Sequence, residues 1–332
     1  MVSAGAFAED PLRVLRLIRL ACELDFTIDP ETAAAARVNG QNLARVAPER
    51  LFAELKRIIC SERAVAGMKL IDELHVIGVV LPELAALRGV EQSPYHHLDV
   101  YDHTLAVLGE AIELERNPER YLGDHARRAS EFLSLPLANE LTRWQALRFG
   151  SLLHDIAKPQ TKQITDQGRI TFLGHDAAGG ETAAAVLRRL RASERLTEHV
   201  AALTRNHLRL GFLVHEKPLS RRSVYRYLRS CEPVQVDVTV LSVADRLATK
   251  GARSEEAIHK HLQLADELLG EALAWVENPP RPPLRGDQLT RALGIEPGPE
   301  LGRILQELEE ARFAREIDSD QDALARAREL MK

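Results

Sequence analysis

The stretch Leu152–Pro159 reads LLHDIAKP: an apolar run, then His154 beside Asp155, then Lys158 and a proline. The approach has the look of a buried helix, where an unpaired imidazole or carboxylate is expensive. A packed core has little use for that trio. A metal centre that handles phosphate does.

Working outward, the long segments around this stretch are rich in Ala, Leu, Arg and Glu, with apolar residues at helical spacing. Leu12, Leu15, Ile18 and Cys22 form one stripe, and Leu51, Leu55, Ile58 and Ile59 another. Strand signals are sparse. GRITF (168–172) and VQVDVTVL (234–241) alternate, and the second runs straight into ADRLA, so it reads equally well as the start of a helix. The expected fold is all-α. The pattern breaks at Gly89, Ser93 and Pro94, and four prolines in ENPPRPPLRG (277–286) forbid a regular helix. Three units are therefore expected: a helical segment over 1–88, a histidine-bearing unit over 89–276, and a Pro-rich linker with a small helical tail over 277–332.

Composition sets bounds. With 45% hydrophobic and 28% charged residues, the 332-residue chain can bury an ordinary core. A net charge of -5 provides no global basic field, so contact with RNA would need local arginine clusters. Cys22, Cys60 and Cys231 are far apart and form no CxxC pair, which fits a reducing compartment. No apolar run is long enough to span a bilayer, and the N-terminus is interrupted by acidic residues and arginines, unlike a signal peptide. A soluble, cytoplasmic protein without membrane contact is expected.

Other polar residues interrupt apolar stretches of the middle unit: His103 in VYDHTLAVL, His175 and Asp176 in FLGHDAAGG, His207 in TRNHLRLG, and Asp245 in LSVADRLA. Imidazole and carboxylate ligands suit Mn, Fe, Co, Ni or Zn, and the absence of cysteines argues against a closed structural zinc site. On a helix, His154 and Asp155 are about 100° apart and both reach an ion over their shared edge. With two ions, Asp155 could bridge them. Lys158, one turn beyond His154, could neutralise a phosphate. Any one of these histidines alone reads as a hydrogen-bonded core residue, and spacing does not establish that six scattered residues converge. Asp176 is placed behind His175, orienting its ring. His96 and His97 either line a cleft or cap a turn. His259 and His261 are expected to be solvated, and His75, His125, His199 and His215 follow no pattern.

His103, the His154–Asp155 pair and Asp245, in that order, resemble the H…HD…D signature of the HD superfamily of metal-dependent phosphohydrolases. The resemblance implies a first divalent ion on His103, His154, Asp155 and Asp245, and a second on His175, His207 and Asp155, with Asp155 and Lys158 in catalytic roles.

At the N-terminus, Asp10 followed by Pro11 reads as a helix cap with proline at the first helical position. Arg13, Arg16 and Arg19 recur every three residues, which suggests an anionic partner. This stretch is similar to the EDxxR motif (here Glu9, Asp10, Arg13) in the neck of the CCA-adding tRNA nucleotidyltransferase and bacterial poly(A) polymerase family. VAPERLFAELKRII (46–59) and residues 283–317 also resemble that family's neck and tail. The resemblance implies base recognition of CTP or ATP by Asp10 and Arg13, RNA contact by Arg16 and Arg19, and tRNA or RNA 3′ ends and nucleotides as partners. The family's transferase chemistry lies in a head domain before the neck, whose GxS and DxD motifs do not occur before Glu9. This chain is therefore expected not to add nucleotides alone, with a head lost or supplied by a separate polypeptide. Two further expectations compete: an HD phosphohydrolase acting on phosphomonoesters or 2′,3′-cyclic phosphates, and a non-hydrolytic tRNA-binding and nucleotide-templating fragment.

Overall fold

The computed structural model describes residues 5–92, 98–216, 218–249 and 254–331. His96 and His97 lie outside the described residues. The fold is all-α, with four short strands forming two antiparallel hairpins among the described residues.

The amphipathic stripes fold as their spacing requires. Helices Arg13–Leu24 and Pro48–Ile59 pack against each other and against Ala64–Glu73, burying Leu15, Ile18, Leu55 and Ile58 completely. This apolar cluster does not stop near residue 88. It runs through Leu87 and Val100 into Phe149, Leu152 and Leu187, so the first segment and the histidine-bearing unit share one continuous core. A second cluster holds Val107, Leu147, Leu241 and Leu268, and a third the tail residues Leu289, Ile304 and Leu308. The tail docks through Phe313, which packs on Tyr225 and Trp275, and through Arg222, which grips Glu307, Glu310 and Glu316.

The ambiguous stretch 234–241 is helical: it opens Gln235–Ala248, a helix buried on nearly every side between Val100–Arg116, Arg143–Leu153 and Ser254–Glu277. A helix without a solvent face shows no 3.6-residue period, and its β-branched residues imitate strand alternation. Within GRITF, Ile170–Thr171 does pair with Gln163–Ile164. The other hairpin, Pro136–Ala138 with Leu141–Thr142, was not foreseen, because its turn uses Asn139 and Glu140 at φ 52° and 63° and no glycine. Asn139 tolerates that left-handed backbone, and its side chain accepts bonds from the Ser193 N–H and hydroxyl. Lys56 donates to the Asn139 carbonyl at 2.9 Å, tying the hairpin to the first segment.

The Asp10–Pro11 cap is displaced. The helix proper starts at Arg13, and the Asp10 carboxylate accepts from the Leu12 N–H at 3.3 Å. The first turn is tight, with Arg13 N–H on the Asp10 carbonyl and Val14 N–H on that of Pro11, which delays the α-helix by one turn.

Helix Gln235–Ala248 is anchored by Asp237, which is fully buried. Arg143 grips it with Nε at 3.0 Å from Oδ1 and Nη2 at 2.6 Å from Oδ2, and His199 Nε2 stands 3.3 Å from Oδ1. Burial pushes this carboxyl up, but His199 and Arg143 outweigh it and hold the group below its ordinary 3.8. The stabilisation is thus complete above the ordinary value and is lost as pH falls through the lower folded one. Asp237→Asn should cost about 3–5 kcal/mol at neutral pH. In urea unfolding followed by circular dichroism, its deficit relative to the parent should shrink below about pH 4.

Candidate metal centre

The apolar run ends at Leu153, the last residue of helix Arg143–Leu153. Proline has no N–H and its ring crowds the carbonyl four residues back, so Pro159 forbids continuation past Asp155. Lys158 N–H takes the Asp155 carbonyl at 3.0 Å instead, and residues 154–157 form turns. The expectation that His154, Asp155 and Lys158 share a helix face is corrected: the pair sits where a helix ends, and that turn aims it inward.

His207 likewise follows directly on a helix, Glu194–Asn206, and His175 opens His175–Arg189 after the left-handed Gly174. The last helix comes close because residue 179 is glycine. A Cβ there would lie 2.9 Å from Thr204 Cγ2 and 3.6 Å from the His154 carbonyl oxygen.

Each of the three rings is fixed by a backbone carbonyl three residues earlier. Nδ1 lies 2.8 Å from the Ser151 oxygen in His154, 2.6 Å from Phe172 in His175 and 2.6 Å from Thr204 in His207. A carbonyl only accepts, so Nδ1 carries the proton and Nε2 presents its lone pair inward when the ring is neutral. This corrects the role expected for Asp176: the Phe172 carbonyl, not that carboxylate, orients His175.

All the lone pairs converge on Asp155. Its Oδ2 lies 3.1 Å from His154 Nε2 and 3.9 Å from His103 Nε2, and its Oδ1 lies 3.3 Å from His175 Nε2 and 3.7 Å from His207 Nε2. Two trios result, His103–His154–Asp155 and Asp155–His175–His207, each with ligand atoms within 4.8 Å of one another. Asp245 stands beside the first, its Oδ1 3.1 Å from His103 Nε2.

The donor set fits a divalent metal. Nε2 of His154 and Nε2 of His175 are buried without a hydrogen bond of acceptable geometry, a costly arrangement unless a cation is shared between them and the Asp155 carboxylate. Burial opposes the Asp155 charge, but His154 and Lys158 outweigh it and hold the carboxyl well below the usual range. Burial likewise opposes ionisation of Asp245, and the hydrogen bond and charge of His103 overcome it. Burial lowers His207 to about 4, keeping its ring neutral, whereas for His154 the adjacent Asp155 overcomes burial and raises it.

Lys158 is buried, 2.7 Å from Asp155 Oδ2 and 2.6 Å from Gln92 Oε1, over the Phe172 ring. It also lines a cleft of about 430 Å³ beside Asp155, with His215, Ser242, Arg246 and His261 on other walls. His261 is buried, its Nε2 3.0 Å from Ser242 Oγ, which corrects its expected solvation. Sequence reasoning missed this wall, although Ser242, Arg246 and Thr249 lie three, one and four residues from Asp245, a spacing that keeps Ser242, Asp245 and Thr249 on one helix face.

The N-terminal candidates are elsewhere. Asp10 pairs with Arg50 at 3.2 Å, and Arg13 with Glu9 at 3.4 Å and the Ala6 carbonyl at 3.0 Å. Arg19 is buried between Glu54 and Glu23, both at 2.6 Å, and Arg16 shares Glu54. An arginine held by two carboxylates is a strut of the first segment, which corrects the expectation of RNA contact for Arg19. None of the four lines the cleft.

Known proteins are similar to this chain in sequence and fold. Residues 100–250 match the HD domain, and residues 25–87 match the family described as "Probable RNA and SrmB- binding site of polymerase A". The CC-adding tRNA nucleotidyltransferase of Thermus thermophilus is 33% identical over 325 residues, 96% of this chain and 66% of that protein. The A-adding tRNA nucleotidyltransferase of Deinococcus radiodurans is 31% identical over 331 residues, 98% of this chain and 69% of that protein. The chain thus spans about two thirds of the length of these relatives. Among solved structures, the Thermotoga maritima CCA-adding enzyme complexed with tRNA shares the fold at a TM-score of 0.55 and 16% identity, over 100% of this chain and 64% of that one. Among the described residues, no helix is long and apolar enough to cross a membrane.

The geometry predicts that divalent cation stabilises the chain through Asp155. Manganese at a hundredfold over its dissociation constant should add about 2.7 kcal/mol. Thermal unfolding with and without the metal should show that gain in the parent and none in Asp155→Ala.

Proposed function

Because the chain belongs to the CCA-adding tRNA nucleotidyltransferase and poly(A) polymerase family and carries an HD domain, we propose that it is a metal-dependent phosphohydrolase acting at tRNA or RNA 3′ ends, on phosphomonoesters or 2′,3′-cyclic phosphates. The observation that carries this reading is that the two oxygens of Asp155 face two different histidine sets. His103, His154, Asp155 and Asp245 would hold one ion, and Asp155, His175 and His207 a second. Bound there, such ions supply Lewis acidity toward phosphoryl oxygens and a lowered pKa for water.

The chain's own residues do the rest. Nδ1-protonated His154, His175 and His207 present their lone pairs without needing to turn, because backbone carbonyls hold the rings. Asp155 and Asp245 stay ionised down to low pH, so the centre keeps its negative charge across the working range. Lys158, on a flexible stem at the cleft wall, offsets the charge of a phosphate in that cleft.

A tRNA-binding role is favoured separately by a groove within residues 25–87. It is lined by Phe26, which is 65% exposed, with Arg37, Arg63, Lys69 and Glu73, Arg63 being paired with Asp25 and Arg37 bonded to the Glu73 carbonyl; an exposed aromatic face beside Lys69 suits single-stranded nucleic acid. Asp10 and Arg13 would read the nucleotide base and Arg16 would contact RNA, with residues 1–88 as neck, 89–276 as HD domain and 277–332 as tail. Nucleotidyl transfer is assigned to a head outside these residues, on this or another polypeptide. The setting is the cytoplasm.

Hydrolysis of 2′,3′-cyclic AMP by the purified chain, scanned over Mg, Mn, Co, Ni and Zn, tests the reading. Turnover should require metal and vanish in Asp155→Ala. Lys158→Ala should lower kcat roughly a hundredfold while leaving metal content unchanged. Equal turnover by the parent and Asp155→Ala would remove the assignment.

A further inference from the structure

One cation in the cleft has no counter-charge of its own. Of the arginines between residues 100 and 275 that are not exposed, Arg143 grips Asp237, Arg148 grips Glu115, Arg221 grips Glu271 and Arg222 grips three glutamates. Arg246 is the exception. It is half-buried on the cleft wall, and among the described residues its guanidinium makes no ion pair, hydrogen bond or ring contact. Its Nε is buried with no partner. A guanidinium partly withdrawn from water, with its buried Nε lacking a carboxylate or carbonyl, carries a cost, and five donors on a planar fork match a phosphate.

The surroundings sharpen the assignment. Arg246 follows Asp245 on helix Gln235–Ala248, and Ser242 lies one turn before it. On the adjoining helix Ser254–Glu277, the buried His261 is bonded to Ser242 Oγ, and burial lowers its pKa to about 4, so its ring is neutral. Among the described residues, Lys158 is the other cation on the cleft walls, and it already sits against Asp155. Positive charge is thus available at two places, beside the metal centre and on the helix of Asp245, in a space of about 430 Å³ that suits a mononucleotide.

We infer that Arg246 is a positioning residue that binds a second phosphate of the substrate, next to the one being hydrolysed. The substrate class is then a nucleotide carrying phosphate on both sides of its ribose, as at the 3′ end of a polynucleotide, rather than a lone nucleoside monophosphate. This inference rests on the phosphohydrolase reading above. It goes beyond that reading in naming the group that distinguishes an RNA end from a free nucleoside phosphate.

The test is calorimetric binding of two slowly hydrolysed probes to the Mn-loaded full chain: adenosine 3′-phosphorothioate and its 5′-phosphorylated counterpart. The parent should bind the second about tenfold or more tightly than the first, the equivalent of one charge-assisted contact. Arg246→Gln should bring the two affinities together, while Arg246→Lys, which keeps the charge and loses the fork, should retain part of the preference. A purely structural role would weaken both probes alike and leave their ratio unchanged.

Equal affinities in the parent, an undiminished preference in Arg246→Gln, or no binding of either probe would overturn the assignment. Turnover of 2′,3′-cyclic AMP on the same preparation separates the two proposals. Turnover with equal affinities removes the Arg246 role and leaves the hydrolase. A preference without turnover does the reverse.

Discussion

Asp155 has to satisfy two histidine sets with one carboxylate, and much of the architecture around it follows from that demand. A carboxylate offers lone pairs on two oxygens, so it can serve two cations when a separate set of ligands gathers at each oxygen. Here His103 and His154 face Oδ2 while His175 and His207 face Oδ1. Those four rings come from four different helices or helix ends, and the fold must bring them to one point within ångströms. Glycine at 179 permits one of these approaches, and the burial of helix Gln235–Ala248 places Asp245 at another side.

The chain makes economical use of its helix ends. A helix leaves its last carbonyls without intrahelical donors. His154 and His207 stand just past such ends, and their Nδ1–H groups take the carbonyls of Ser151 and Thr204. One imidazole therefore satisfies a helix end and aims a ligand atom at the centre. Capping and ligation are a single structural feature, so a helix shifted by one residue would lose both.

The all-α class, the apolar stripes of Leu15, Ile18, Leu55 and Ile58, and the residues around Asp155 were legible because each repeats or interrupts a pattern along the chain. His154 and Asp155 stood out as polar groups ending an apolar run. What escaped was set by contacts distant in sequence. Arg19 read as an RNA contact because nothing in its own helix reveals Glu54, thirty-five residues on, as its partner. His261 read as solvated because its polar neighbours face outward while its own ring turns inward to Ser242. Stretch 234–241 stayed ambiguous because full burial erases the helical period. The Asn139–Glu140 turn was hidden by the absence of glycine.

The sharing of Asp155 between two metal ions is the claim on which the functional account stands. Electron paramagnetic resonance of the chain loaded with two equivalents of Mn(II) addresses it directly. Two ions bridged by one carboxylate interact magnetically, so the account predicts the multiline spectrum of a coupled pair, reverting to isolated-ion lines in His175→Ala. Only isolated Mn(II) lines from the parent at full loading would contradict it.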